Sequence, residues 1–398
     1  EREMKLTEET PFFFIYSVWT KNGEYREQVK RLVTDYDNYI SLKLAGDDEY
    51  LSEKMVGYPA ELDEVYAESF EEQKKEWFSC VGDGIQECRN TWEHKKWNIT
   101  DFPEFELAIT IDRPELYYDF LQKDWTRFCH DYWKNNFLEH HTLSQKRVTR
   151  IYIGNQFCHN LFPRKKLLFQ VLEKALENNL AVTLAFSYIR NHLLEEIDEL
   201  LQELEVWCQS REKEAGKDQE EIIVNDWAMP ILLQGKPHLK PVLGVLLNKR
   251  RKDVRLPYKH GIGNHVDSLA ENNLNCGFYQ DYLKNTFDIQ RFEFESCEYK
   301  VTIPDGHHSL HLPFFQTNTS QYCTLYAVCR YGDRGKQKLP ENCPRYCNKK
   351  VFLYPKHLKM VGRYNSLFGY DEKILWDEKQ LQDYLEQGID RIVVNVSL

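Results

Sequence analysis

From residue 105 onwards, short apolar runs alternate with longer stretches in which apolar residues recur every three or four positions. The first run, Glu106 to Ile111 (ELAITI), predicts a strand. Pro114 to Asn136 follows as an aromatic-rich helix whose proline sits where a first turn tolerates it. Thr149 to Ile153 (TRIYI) is the next strand, stopped by Gly154. Pro163 to Asn178 then sets Leu167, Leu168, Val171, Leu172, Ala175 and Leu176 on one stripe, as a sheet-covering helix requires. Ala181 to Phe186 (AVTLAF) is a third strand, followed by an acidic helix from His192 to Glu212. Leu193, Ile197, Leu200, Leu201 and Leu204 point inward there, and Glu and Asp form a solvated outer face. The series continues through Glu221–Asn225 (EIIVN), Val242–Leu247, Ile289–Glu295, Lys300–Ile303 and Leu310–Pro313, and Arg391–Val396 (RIVVNV) ends it. Short strands separated by helices imply a parallel sheet, and their number favours closure into a TIM-like (β/α) barrel over residues 105–398. Sites in such barrels gather at the carboxyl ends of the strands. Cys158, Asp226, Asn248 and a cysteine-rich segment fall at those ends.

Residues 1–104 lack this alternation and read as a mixed α+β appendage. Phe12 to Trp19 suggests a buried strand, and Pro59 to Cys80 has an acidic, aromatic, roughly helical period. Cys80 and Cys88 flank a Gly-Asp-Gly turn at a spacing wider than most metal knuckles use. They read as structural cysteines.

Composition narrows the class. A chain of 398 residues with 42% hydrophobic and 14% aromatic content has ample material for a large core. A formal net charge of −11 argues against a general nucleic-acid binder and against DNA as partner. No apolar run reaches the length of a membrane span. No charged-then-apolar leader opens the sequence, and eleven cysteines, an odd number spread widely, suit a reducing cytoplasm better than a secreted disulfide framework.

The chemistry concentrates between Gln321 and Cys347 (QYCTLYAVCRYGDRGKQKLPENCPRYC), which holds Cys323, Cys329, Cys343 and Cys347 around a glycine-rich, basic loop. If Pro344 opens a helical turn, Cys343 and Cys347 share a face at about 5–6 Å between Cβ atoms. That suits two corners of an iron–sulfur cluster or of a tetrahedral zinc site. Cys158, distant in sequence but at a strand end, is placed to complete the set. Asn225 and Asp226 directly follow a buried strand and are candidates for polar work at the barrel mouth, with helix capping an equal alternative for Asp226. Lys249, Arg250, Arg251, Lys252 and Arg255 form a basic cluster after Asn248 that would attract an anionic ligand such as a carboxylate, phosphate or RNA backbone. His307, His308 and His311 alternate in direction if extended, so they do not all reach one metal. Neither a G-x-S-x-G elbow nor an H-E-x-x-H pair is present.

Laid out in order, RIYIGNQFCHNLFPRKKLLFQVLEKALENNLAVTLAF, EIIVNDWAMPIL, LGVLLNKRRKDVR and HLPFFQTNTSQYCTLYAVC with the later C-x3-C resemble peptidase family U32, the collagenase-like peptidases of unknown catalytic type. Within it the resemblance is to the UbiV-like branch that works without oxygen. It implies a [4Fe–4S] cluster on Cys158, Cys323, Cys343 and Cys347. The Cys323–Cys343 spacing is longer than that branch shows, so Cys323 and Cys329 stay open as the third ligand, with the residues around Cys323 aligning better. The resemblance further implies an oxygen-independent hydroxylase, or a subunit of one paired with a second U32-like chain. The implied oxygen source is prephenate and the implied substrate a small molecule or RNA; Asn225 and Asp226 would act at the site, and Asn248, Lys249 and Arg255 would bind substrate. A U32-type peptidase and a zinc-stapled binding or scaffold protein are the alternatives.

Overall fold

The computed structural model describes residues 2–9, 14–31, 66–67, 102–215, 220–252, 254, 270–333, 335–336, 338–340, 342–353 and 359–396. An antiparallel hairpin, β1 (Arg2–Glu9) and β2 (Phe14–Thr20), comes first, followed by a helix over residues 23–31. The two-residue strand β3 (Tyr66–Ala67) comes next.

The main sheet then begins with β4 (Glu106–Ile111), followed by α1 (Pro114–Gln122), α2 (Trp125–Asn135), β5 (Val148–Gly154), α3 (Lys165–Glu177), β6 (Ala181–Ala185), α4 (Leu194–Ala215) and β7 (Glu220–Val224). After it come α5 (Met229–Leu232), β8 (Leu239–Leu243), α6 (Gly277–Phe287), β9 (Glu293–Glu295) and β10 (His308–Leu312). Four antiparallel strands interrupt the series: β11 (Phe314–Thr319), then α7 (Thr324–Tyr331), β12 (Val351–Leu353), β13 (Met360–Arg363) and β14 (Ser366–Tyr370). Helix α8 (Glu378–Glu386) and strand β15 (Ile389–Val394) return the chain to the main sheet.

All eight main strands are parallel, in the order β8-β7-β6-β5-β4-β15-β10-β9. The two edges meet at one parallel bridge, Leu243 to Phe292, where Leu243 N–H donates to Arg291 O at 3.0 Å. The sheet is therefore a nearly closed eight-stranded α/β barrel, as the alternation of apolar runs requires. Side chains alternate between barrel interior and helix layer. Ala108, Tyr152, Ala185, Ile223, Val242 and Val393 pack inside, while Leu107, Ile109, Ile151, Ile153, Leu168 and Leu172 belong to the larger outer core.

Several elements differ from expectation. The helix over 114–136 breaks in two because Asp124 accepts from Arg127 N–H at 2.9 Å and so caps a second start. β8 begins earlier than the apolar run suggests and stops at Leu243, and Lys300–Ile303 form no strand. Cys343 and Cys347 do not share an α-helical turn: Arg345 lies at φ 55° and a 3-10 turn follows at Tyr346–Asn348. The antiparallel sheet of β11–β14 is not foreseen at all. β2 exists where FFFIYSVW suggests a strand, but Tyr16 and Trp19 are half exposed, since among the described residues nothing covers a two-stranded ribbon. Within Pro59–Cys80 only Tyr66–Ala67 are described. They form a strand, not a helix, paired with β12 through Ala67 and Val351. Cys80, Cys88 and Arg255 lie outside the described residues. Among the described residues no helix is long and apolar enough to cross a membrane.

Candidate functional site

At the carboxyl end of β5 the chain turns sharply. Gly154 sits at φ +108°, and a Cβ there would lie 2.5 Å from Ala185 O, so only glycine fits. Asn155 next folds back, its Oδ1 accepting from the N–H groups of Phe157 and Cys158, both at 2.9 Å. This fixes Cys158 at the rim. Cys323 caps α7, its sulfur accepting from Tyr326 N–H at 3.3 Å and donating to Tyr364 O at 2.9 Å. Cys347 lies in the 3-10 turn, its carbonyl held by Arg363 Nε at 3.0 Å.

Cys158, Cys323, Cys343 and Cys347 line one cavity, together with His159, Tyr188, Arg190, Tyr326, Tyr364 and Asn365. Cys329, on the same helix as the Cys323 cap, is not among the lining residues. The nine described cysteines are all free thiols. Burial pushes Cys158 up to about 11 and Cys347 up to about 12, and neighbouring thiols add to the rise. Cys323 is raised further, by burial first and then by the charges of Cys158, Cys347 and Cys343. Arg190 near Cys158 and Arg363 near Cys347 pull the other way without prevailing. The phenol of Tyr364 is buried with no hydrogen-bond partner among the described residues.

As placed, the thiols surround the cavity without converging. Among the described residues no group of three or more Cys, His, Asp or Glu side chains is arranged to hold a metal ion. The free space is about 30 Å³, enough for one or two waters.

Beside the thiols opens a cleft of about 800 Å³, and Tyr188 lines both spaces. Its hydroxyl receives Asn365 Nδ2 at 3.0 Å and Arg190 at 3.2 Å and donates toward Ser320 O at 3.2 Å. The predicted polar residues lie in this cleft but differ in freedom. Asn225 is committed to the scaffold: Oδ1 accepts from Leu246 N–H at 3.1 Å and Nδ2 donates to Phe186 O at 2.7 Å and Gln156 at 3.3 Å. A Cβ on Gly244 would stand 2.1 Å from that Oδ1, which explains the glycine. Asp226 takes the capping role, Oδ1 accepting from Ala228 N–H at 3.1 Å and Met229 N–H at 3.0 Å, while Oδ2 accepts from Ile189 N–H.

Asn248 is buried. Its Nδ2 reaches Glu293 O at 3.1 Å, and its Oδ1 has no partner among the described residues. Among the described residues Lys249 forms no ion pair, and partial burial lowers its amine. Two members of the basic cluster are already engaged. Arg250 turns inward to Glu295 O at 2.6 Å and Cys297 Sγ at 3.0 Å, and Lys252 pairs with Glu295.

Three histidines close together in sequence part company. His307 is exposed beside Asp390, His308 stacks on Phe292, and His311 enters the barrel to meet Glu293. None lines the thiol cavity. Sequence reasoning missed Tyr188, Arg190 and Tyr364, which carry no motif of their own.

No family model, curated protein or solved structure matches this chain. Its function is therefore argued from the site.

Proposed function

We propose that the chain is an iron–sulfur protein of the U32 type, acting as an oxygen-independent hydroxylase or as a subunit of one. In this reading Cys158, Cys323, Cys343 and Cys347 are the ligands of a [4Fe–4S] cluster, and the adjoining cleft takes an anionic small-molecule or RNA substrate. One observation carries it: four thiols from separate segments line a single cavity that shares Tyr188 with the cleft.

The donor set fits the group. Four thiols match the four irons of such a cluster, whereas a single zinc ion needs its sulfurs within about 2.3 Å of one point. The free volume is smaller than a cluster, so the thiol-bearing segments must move apart to admit it. When bound, a cluster supplies one-electron redox chemistry.

The chain's own residues do the rest. Asn155 orients Cys158, and Arg363 holds the backbone at Cys347. Arg190 and Arg363 offset the negative charge that thiolates bring into a buried space. Tyr188, held by hydrogen bonds, sets a fixed wall between thiols and cleft. Asn248 Oδ1 and the Lys249 amine, neither with a partner among the described residues, have capacity left for a substrate. Because ligation requires thiolates, loading releases protons and strengthens as pH rises.

Anaerobic purification tests the proposal. Brown protein with near-stoichiometric iron and sulfide is expected. Colourless protein carrying zinc would replace the proposal with a zinc-stapled scaffold, and protein that takes up neither under reconstitution would end both.

A further inference from the structure

Between the thiol cavity and the cleft, at the mouth of the barrel, lies a third and smaller chamber of about 30 Å³. It shares Phe157 with the thiol cavity and Val245 with the cleft. At this size it holds one or two waters or a single small functional group. Its lining includes His311, Tyr152, Glu295 and Asp112.

His311 is 3% exposed and bonded through Nε2 to Glu293, itself fully buried. In the tautomer whose Nε2 donates to Glu293, which also accepts from the Tyr152 hydroxyl, Nδ1 keeps its lone pair. Nδ1 has no hydrogen-bond partner among the described residues. Glu293 is held in turn by the Tyr152 hydroxyl at 3.1 Å, which receives Arg391 at 3.2 Å. The Tyr152 ring meets His311 edge-on, with centroids 5.5 Å apart. This is an imidazole paired with a carboxylate that is itself held, on a residue that lines the chamber.

We propose that His311, oriented by Glu293, is a general base that takes the proton from a hydroxyl group, water included, entering this chamber from the cleft. The O–H bond breaks and an N–H bond forms at Nδ1. The oxygen keeps the electron pair, and the imidazolium is balanced by Glu293. No oxidant or reductant is consumed, and the dyad stands whichever group the thiols hold.

The test uses formate, a carboxylate small enough for the chamber. Its binding requires a positive partner, so it should draw one proton onto His311. The other charged or titratable groups facing the ring are Glu293, Tyr152, Asp112 and Glu295 with its Lys252. Ring-15N histidine NMR separates His311 from them. In the intact wild-type chain, His311 is expected to show an unprotonated Nδ1 and a protonated Nε2. Formate affinity should rise about tenfold per unit fall in pH above the protonation midpoint, with the His311 resonance moving in step. His311→Gln should lose that dependence and bind at least about tenfold more weakly at pH 6. An Nδ1-protonated ring, absence of formate binding, or binding that leaves His311 unprotonated would each overturn the proposal. All three can be read on the wild type even if the variant fails to fold.

Discussion

Inside the barrel, Arg391 and Arg150 meet Glu221 and Glu106 in a network without idle charges. Arg391 contacts Glu221 at 2.7 and 3.1 Å and Glu106 at 2.6 Å, while Arg150 reaches Glu106 at 3.0 Å and Glu221 at 3.3 Å. Burial pushes Glu221 up, yet the two arginines more than offset it and hold that carboxyl at about 2. At the rim, Cys347 is buried and Cys158, Cys323 and Cys343 are partly buried, and burial with mutual proximity raises three of the four above the ordinary thiol range. The first region is complete in itself and belongs to the fold. In the second, Arg190 and Arg363 pull the thiols down without offsetting burial, so the group stays protonated and uncompensated.

If this contrast holds, the two regions respond oppositely to mutation. Arg391→Met leaves Arg150 as the close partner of both Glu221 and Glu106 and is expected to cost about 3 kcal/mol in urea unfolding, because two buried carboxylates then share one guanidinium. A cost under about 1 kcal/mol would mean that the network is not sealed from water.

Next in size is the acid limb. His141 is buried, its Nε2 held by Leu375 O and its Nδ1 accepting from Leu143 N–H at 3.1 Å, so burial lowers it to about 4. Its folded value lies below the unfolded 6.5, so its contribution is full above about pH 6.5 and is lost as pH falls to about 4. The loss approaches about 3 kcal/mol. Asp371, raised by burial to about 7, contributes with the opposite sign over the whole of that range. The clean measurement is therefore wild type against His141→Gln, whose melting temperature should fall less on acidification. Identical acid limbs would refute the assignment.

Asn225→Ala removes three bonds that tie neighbouring strand ends and should cost about 2 kcal/mol in the same unfolding assay.

Smallest in stability, at under about 1 kcal/mol for the metal-free protein, are Cys343→Ser and Cys347→Ser. Both should remove most iron from anaerobically reconstituted protein, while Cys208→Ser and Cys276→Ser keep it. Cys323→Ser should behave like the first pair and Cys329→Ser like the second. Equal loss across all of them would show that iron retention reports folding alone.

The barrel was legible because its strands are buried on both sides and read as uninterrupted apolar runs bounded by amphipathic helices. Glu106–Ile111 is recovered residue for residue. The inserted sheet was not legible. Gln316 to Thr319 is polar, β12 and β13 are three and four residues long, and glycines at 362 and 369 dilute the alternation that marks a strand. Cysteine density pointed to Cys323, Cys343 and Cys347, and a strand-end position with the family resemblance pointed to Cys158, but not to how the chain brings them together: a positive φ at Arg345 and the carbonyl of Tyr364 do that, and neither has a sequence signature. The His311–Glu293 pairing was hidden for a similar reason. The two residues are 18 apart on adjacent strands whose register only the folded sheet reveals.

Strand β15 lies between β4 and β10, the first and seventh staves of the barrel. Every cysteine described around the cavity is therefore synthesised before the stave that completes the wall. A nascent chain held short of Ile389 would present an open trough with its thiols already made. Shortening the chain ahead of that point would leave the first and seventh staves as bare edges, turning a sealed cylinder into a surface that invites other strands.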